Sequence, residues 1–118
     1  MTFYNCNGKP IAYTEDGFHI YLFSGKPVAY LVDNAIYSFG GRHMGWFEKG
    51  WIRDLHGACA FFTENTIGSG PMKPMKHMKP MKCMKQMKPM KAMREMKRMR
   101  AMNQSSWSVL SGENFFYQ

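Results

Sequence analysis

Four segments of this chain repeat one another at a spacing of about 16 residues, and that repeat restricts the fold more than any other feature. Aligned on Gly8, Gly25, Gly41 and Gly57, the units run Phe3 to Tyr13, Ile20 to Tyr30, Ile36 to Trp46 and Ile52 to Phe62. Matched hydrophobic and turn positions in four copies indicate one supersecondary unit that buries its apolar face only against its neighbours. Each unit reads as a β-hairpin. Asn7-Gly8, Ser24-Gly25 and Gly40-Gly41 sit at the tips, where a two-residue type I′ turn needs positive φ at both places. The arms are rich in Tyr, Phe, Ile and Val, which suit strands.

Between units come further turn signals: Glu15-Asp16-Gly17, Asp33-Asn34 and Glu48-Lys49-Gly50. Turns every eight residues or so predict eight strands of about five or six residues each. Pro10 and Pro27 follow the tip glycines; lacking an N–H, they belong at tips or free edges. Ile11, Val28, Met44 and Ala60 are equivalent, and Tyr13, Tyr30, Trp46 and Phe62 follow two residues later on the same face. Ala12, Ala29 and Gly45 point the other way and are small enough to let something pack closely, while Phe61 breaks that rule. Closing four such hairpins into a ring removes exposed sheet edges. The predicted fold is all-β: four pseudo-symmetric β-hairpin repeats form a shallow closed barrel over residues 1–68, followed by a basic low-complexity tail.

In that tail, residues 69–104, methionine recurs at every third position from Met72 to Met102, nearly always followed by Lys or Arg. Residues 71–102 hold eight lysines and three arginines against Glu95 alone, a net of +10; residues 1–66 hold five basic and six acidic side chains, a net of −1. Such asymmetry marks an appended arm that meets a polyanion or an anionic surface. Pro74, Pro80 and Pro89 exclude a continuous α-helix through the first half, and a period of three drifts around a helix of 3.6 residues per turn. A polyproline II strand, at three residues per turn, lines Met along one edge and the cations along another. The tract is expected to be disordered or polyproline-like when free.

The units Gly8-Lys9-Pro10-Ile11-Ala12-Tyr13 and Gly25-Lys26-Pro27-Val28-Ala29-Tyr30 carry a resemblance, together with the run Gly45 to Asp54 and the period-three basic tract. With the ending Ser106-Trp107-Ser108, Leu110 to Glu113 and Phe115-Phe116, they resemble the bacterial 4-fold β-flower family. The resemblance implies a shallow, square β-barrel with four hairpin petals. It implies no catalytic or ligand residues.

The expected function is therefore that of a non-enzymatic binding or scaffold protein. The cations Lys73, Lys76, Lys79, Lys82, Lys85, Lys88, Lys91, Arg94, Lys97, Arg98 and Arg100 are the candidates for contact with an anionic membrane surface or other polyanion. Met72, Met75, Met78, Met81, Met84, Met87 and Met90 are the candidates for apolar contact. Nucleic acid is the competing partner; without any Phe, Tyr or Trp in the tract, it would be bound through phosphates and without sequence preference. Met-x-x-Met spacing also suits Cu(I), but ten net positive charges oppose a cation. A protein-interaction module or spacer completes the alternatives. Tyr13, Tyr30, Trp46 and Phe62 are candidates to line an apolar pocket in the ring, against the plainer reading that they are core.

The last segment, residues 105–118, gathers Trp107, Val109, Leu110, Phe115, Phe116 and Tyr117. It is expected to dock onto the ring, the alternative being a motif for a protein partner. Cys6, Cys59 and Cys83 form no CxxC pair, and His19, His43, His56 and His77 have no metal-ligand spacing; no metal or cofactor is expected. Arg53 occupies a place held by Tyr in the other units and is expected to pair with an acidic neighbour, or else to mark a ligand mouth. No nucleophile–base pair, carboxylate pair or phosphate loop is recognisable. Met1 to Pro10 shows no basic region followed by an apolar run, and no apolar stretch reaches the ~20 residues of a membrane helix. A cytoplasmic protein, peripheral at the membrane, is the expected location.

Overall fold

The computed structural model describes all residues, 1–118. Eight antiparallel strands follow one another around a closed barrel: β1 (Thr2–Tyr4), β2 (Pro10–Tyr13), β3 (His19–Leu22), β4 (Pro27–Val32), β5 (Ala35–Tyr37), β6 (His43–Glu48), β7 (Trp51–Asp54) and β8 (Cys59–Phe62). The strands have three to six residues, shorter than their spacing suggests, because each hairpin ends in a bulge. The four repeats are the hairpins β1–β2, β3–β4, β5–β6 and β7–β8. Their registers are equivalent: Phe3 faces Ala12, Ile20 faces Ala29, Ile36 faces Gly45 and Ile52 faces Phe61. The ring closes where Tyr4 of β1 meets Phe62 of β8.

The tip turns differ from the type I′ expectation. Gly8, Gly25, Gly41 and Gly57 have φ between 81° and 93°, but Asn7, Ser24 and Gly40 stay out of the positive-φ region. In each tip the glycine N–H reaches back three residues, as in Gly8 to the Asn5 carbonyl at 2.9 Å. Asn5 N–H in turn donates to the Lys9 carbonyl at 2.9 Å. This is a type I turn closed by a left-handed glycine, and it produces the register shift seen in all four hairpins. True two-residue turns with positive φ at both places occur instead between the repeats, at Asp33-Asn34 and Lys49-Gly50.

The barrel is filled by side chains. One central cluster holds Phe3, Ile20, Ile36 and Ile52 with Ala12, Ala29 and Phe61, and it includes Phe115 and Phe116 from the C-terminus. Those two aromatics lie in a short 3-10 turn, Glu113–Tyr117. Phe115 meets Phe61 edge-on at 5.5 Å, and Phe116 stacks on Phe61 at 5.4 Å. The small residues across the ring leave room for this plug: a Cβ on Gly45 would come within 3.0 Å of the Phe115 ring. Ser111 binds the first and fourth repeats together, its Oγ accepting from Cys6 N–H at 2.8 Å and donating to the Ala60 carbonyl at 2.7 Å. No helix is long and apolar enough to cross a membrane.

Candidate functional site

The Met-Lys tract forms neither helix nor strand, yet it is fixed to the barrel along its whole length. It passes the four hairpin tips in chain order. His77 N–H donates to the Gly8 carbonyl at 2.9 Å, Gln86 to Gly25 at 2.9 Å, Glu95 to Gly41 at 2.8 Å and Gln104 to Gly57 at 3.1 Å. The anchors are nine residues apart, three triplets to each tip. A second set lies three residues earlier: Cys83 donates to Phe23 at 2.9 Å and Ala92 to Phe39 at 2.8 Å. In the first repeat the equivalent residue is Pro74, which has no N–H to give. The tip glycines are required twice over. Each has positive φ, and a Cβ there would collide with the carbonyl oxygen of Met75, Met84, Met93 or Met102 in turn.

Length agrees with this girdle. Nine residues at about 3.1 Å each reach about 28 Å, so four such spans come to about 110 Å. The molecule is a disc of 36 × 36 × 22 Å, whose perimeter is of the same size.

The cations turn inward. Lys82 lies over the ring of Tyr13 at 4.5 Å, Lys91 over Tyr30 at 4.4 Å and Arg100 over Trp46 at 5.3 Å. Lys73, at the equivalent place, lies over Trp51 at 6.0 Å, beside Phe62. The next triplet repeats the pattern on the neighbouring strand: Lys76 over Tyr4, Lys85 over Tyr21 and Arg94 over Tyr37, at 5.9, 5.1 and 5.8 Å. Cation–π contacts at exposed sites are worth about 0.5–1 kcal/mol each, so the girdle is held by their number and not by any one. Acids at strand ends and in the connecting turns take up further charge. Lys82 and Lys85 both reach Glu15, Lys79 pairs with Glu64 at 3.3 Å, Lys97 with Asp33 at 3.7 Å and Arg100 with Glu48 at 2.8 Å. The hydrogen bonds from Lys85 and Lys82 hold the Glu15 carboxyl below the usual range. Burial would raise Glu48 and Glu64, but their partners outweigh it and hold both below that range.

The methionines turn outward. All eleven from Met72 to Met102 are 87–94% exposed, whereas Met44 in the core is fully buried. Met72, Met75, Met78, Met81, Met84, Met87 and Met90 thus share one edge with Met93, Met96, Met99 and Met102. The cation one place on lies over a barrel ring or pairs with a barrel acid in every triplet from Lys73 to Arg100 except that of Lys88.

Tyr13, Tyr30, Trp46 and Phe62 do not converge on a pocket. Tyr13 packs with Tyr21 and Phe23, Tyr30 and Trp46 with Tyr37 and Phe39, and Phe62 with Tyr4 and Trp51. These clusters lie on the outer wall beneath the girdle, and no surface depression is lined by any of the four. The reason is that both barrel faces are covered, the inner by the Phe115–Phe116 plug and the outer by the tract, so apolar alternation does not distinguish inside from outside.

Arg53 takes up carbonyls and no acid. Its Nη1 donates to Gly57 and Gln104, both at 2.8 Å, and Nη2 donates to Ser69 at 3.0 Å. The guanidinium, nearly inaccessible to solvent, therefore clasps the start and the finish of the girdle. Opposite the other three repeats, the girdle offers Lys76, Lys85 and Arg94 to a tyrosine; here, where the barrel residue is itself cationic, position 103 is Asn.

The third repeat has its own lock. His43 stands where the first two repeats have Pro10 and Pro27, and it has an N–H to satisfy. Glu95, the one acid of the tract, accepts it at 2.8 Å. The His43 ring is buried, with Nε2 3.0 Å from the Gly45 carbonyl and Nδ1 accepting from Arg98 N–H at 3.0 Å. These partners select the neutral Nε2–H tautomer, and burial lowers the ring's affinity for a proton. In the fourth repeat Cys59 N–H donates to the Ser106 carbonyl at 3.0 Å. Burial pushes the Cys59 thiol up to about 11, so this cysteine is an inert core group.

The family model for the 4-fold beta flower protein matches residues 1–116, which takes in hairpins, girdle and plug alike. The chain belongs to the 4-fold β-flower family. No curated protein and no solved structure matches it. The four hairpins are the petals, and the period-three tract encircles them.

Proposed function

We propose that this β-flower protein is a non-catalytic binding module whose rim attaches it to an anionic membrane surface on the cytoplasmic side. One observation carries the reading: eleven methionine side chains stand almost fully in solvent around the rim, and all but Met102 are followed by a cation. Contiguous exposed apolar edges are rare on soluble proteins unless something covers them. Flexible thioether chains suit a yielding interface such as the boundary between headgroups and acyl chains. The remaining positive charge, +8 over the chain, favours anionic headgroups at about 1 kcal/mol per cation near the surface. Because Lys79, Lys82, Lys85, Lys97 and Arg100 are paired to acids within the molecule, charge is the secondary attraction and methionine the primary one.

Co-sedimentation of the full chain with anionic and neutral vesicles, with duplex DNA as competitor, tests this. Replacing all eleven rim methionines by Ser is expected to weaken vesicle binding more than replacing Lys9 and Lys88 by Gln. If the methionine variant binds as well as the parent, or if DNA strips the protein from vesicles, the attachment is electrostatic and the partner is a general polyanion.

A further inference from the structure

We infer that the methionine rim is a surface for consuming two-electron oxidants, in which the thioethers react while the fold stays intact. The substrate class is hydroperoxides and related oxidants. The thioether sulfur attacks the terminal oxygen of the O–O bond, that bond breaks, and the peroxide leaves as water or alcohol with the methionine now a sulfoxide. A sulfoxide reductase with two thiol equivalents reverses the step, giving thioether, disulfide and water.

Two features of the molecule set it apart from a protein that merely contains methionine. The first is exposure: eleven thioethers are 87–94% exposed on one continuous edge, so oxidant and reductase both reach them. The second is that these side chains belong to none of the buried clusters. The girdle is held by its main-chain N–H groups at residues 77, 83, 86, 92, 95 and 104 and by cations over aromatic rings. Sulfoxidation elsewhere typically disrupts a core; here it changes an apolar edge into a polar one and leaves every anchor in place. Met44, packed at the centre with no exposed surface, is the internal contrast.

A consequence rests on the membrane reading above: oxidation would release the protein from the vesicle, making attachment responsive to oxidants.

The experiment uses the full chain carrying Cys83→Ala, which removes an exposed thiol at a place where the next two repeats already have Ala92 and Ala101. The folded protein is titrated with hydrogen peroxide and followed by peptide mass spectrometry and thermal melting, with the urea-unfolded chain as reference. The rim methionines are expected to gain one oxygen each at the rate seen in the unfolded chain. Met44 should react at least about a hundredfold more slowly, and the melting midpoint should move by no more than a few degrees. The inference fails if the rim reacts much more slowly than the unfolded reference, or if melting drops in step with rim oxidation. Vesicle binding is measured on the same samples and is expected to fall about tenfold after oxidation. If the unoxidised protein does not bind vesicles at all, the membrane reading falls, and the mass and melting data alone decide the oxidant-consuming role.

Discussion

Arg53 Nη1 donates to the Gln104 carbonyl at 2.8 Å, which places the end of the girdle in the same guanidinium that holds its beginning at Ser69. Hydrogen bonds from a charged donor contribute about 1.5–3 kcal/mol each, and the group is buried. Arg53→Gln is expected to cost about 3–5 kcal/mol in urea unfolding. Arg53→Tyr, which restores the residue of the other repeats, should recover part of the packing but not the closure. Limited proteolysis near residues 69 and 104 separates the two effects, since only loss of the clasp exposes both sites together.

The tip glycines yield a comparison that isolates the girdle. Gly17 and Gly25 both have positive φ, but a Cβ on Gly17 meets nothing, whereas one on Gly25 strikes the Met84 carbonyl. Gly17→Ala should cost only the left-handed strain of about 1–2 kcal/mol. Gly25→Ala should cost distinctly more, and hydrogen exchange should quicken at Cys83 and Gln86, whose N–H groups anchor that span. Equal costs at the two places would mean that the tract does not bear on the tip.

Acid should loosen the third petal first. Burial lowers the His43 pKa in the fold, while an unfolded-chain histidine titrates near 6.5. The unfolded state therefore binds the proton more readily, and stability falls as pH drops from about 6.5 toward the lower folded value. Protonation also puts a proton on Nδ1, the atom that accepts from Arg98 N–H. The expected result is a decline in unfolding free energy below about pH 6.5 that is absent in His43→Gln. A further decline should follow below about pH 4.5, as Glu48 and Glu64, whose folded pKa values are lowered, take up protons.

Length of the girdle is a structural constant. Removing residues 87–89 keeps the period of three but shortens the tract by about 9 Å. The later anchors then lie out of reach of their tips, so Glu95 and Gln104 both let go. Exchange protection should be lost at Glu95 and Gln104 while His77 stays protected; retained protection throughout would show that the tract carries slack.

Much of this was legible in the residues, and the gaps have physical causes. The four hairpins show in the glycine spacing because a left-handed position tolerates little else. Their turn type does not, since Asn7-Gly8 suits both a two-residue turn and the longer one found. The direction of Tyr13 and Tyr30 was hidden because a barrel wrapped outside and plugged inside has two apolar faces. The period of three concealed a period of nine. It lies in the third residue of each triplet: Pro74, Cys83, Ala92 and Ala101 in one column, His77, Gln86, Glu95 and Gln104 in the next. Those columns vary with the tip they meet, as Glu95 does with His43, and only the partner makes the variation intelligible.

Each petal and the span that covers it lie far apart in the gene, Gly8 with His77 and Gly57 with Gln104. A duplication that added a petal would not bring its cover with it, and a longer tract would have no petal to meet. The two counts can change only together. That mutual dependence ties any change in petal number to a matching nine-residue change in a distant stretch of the gene.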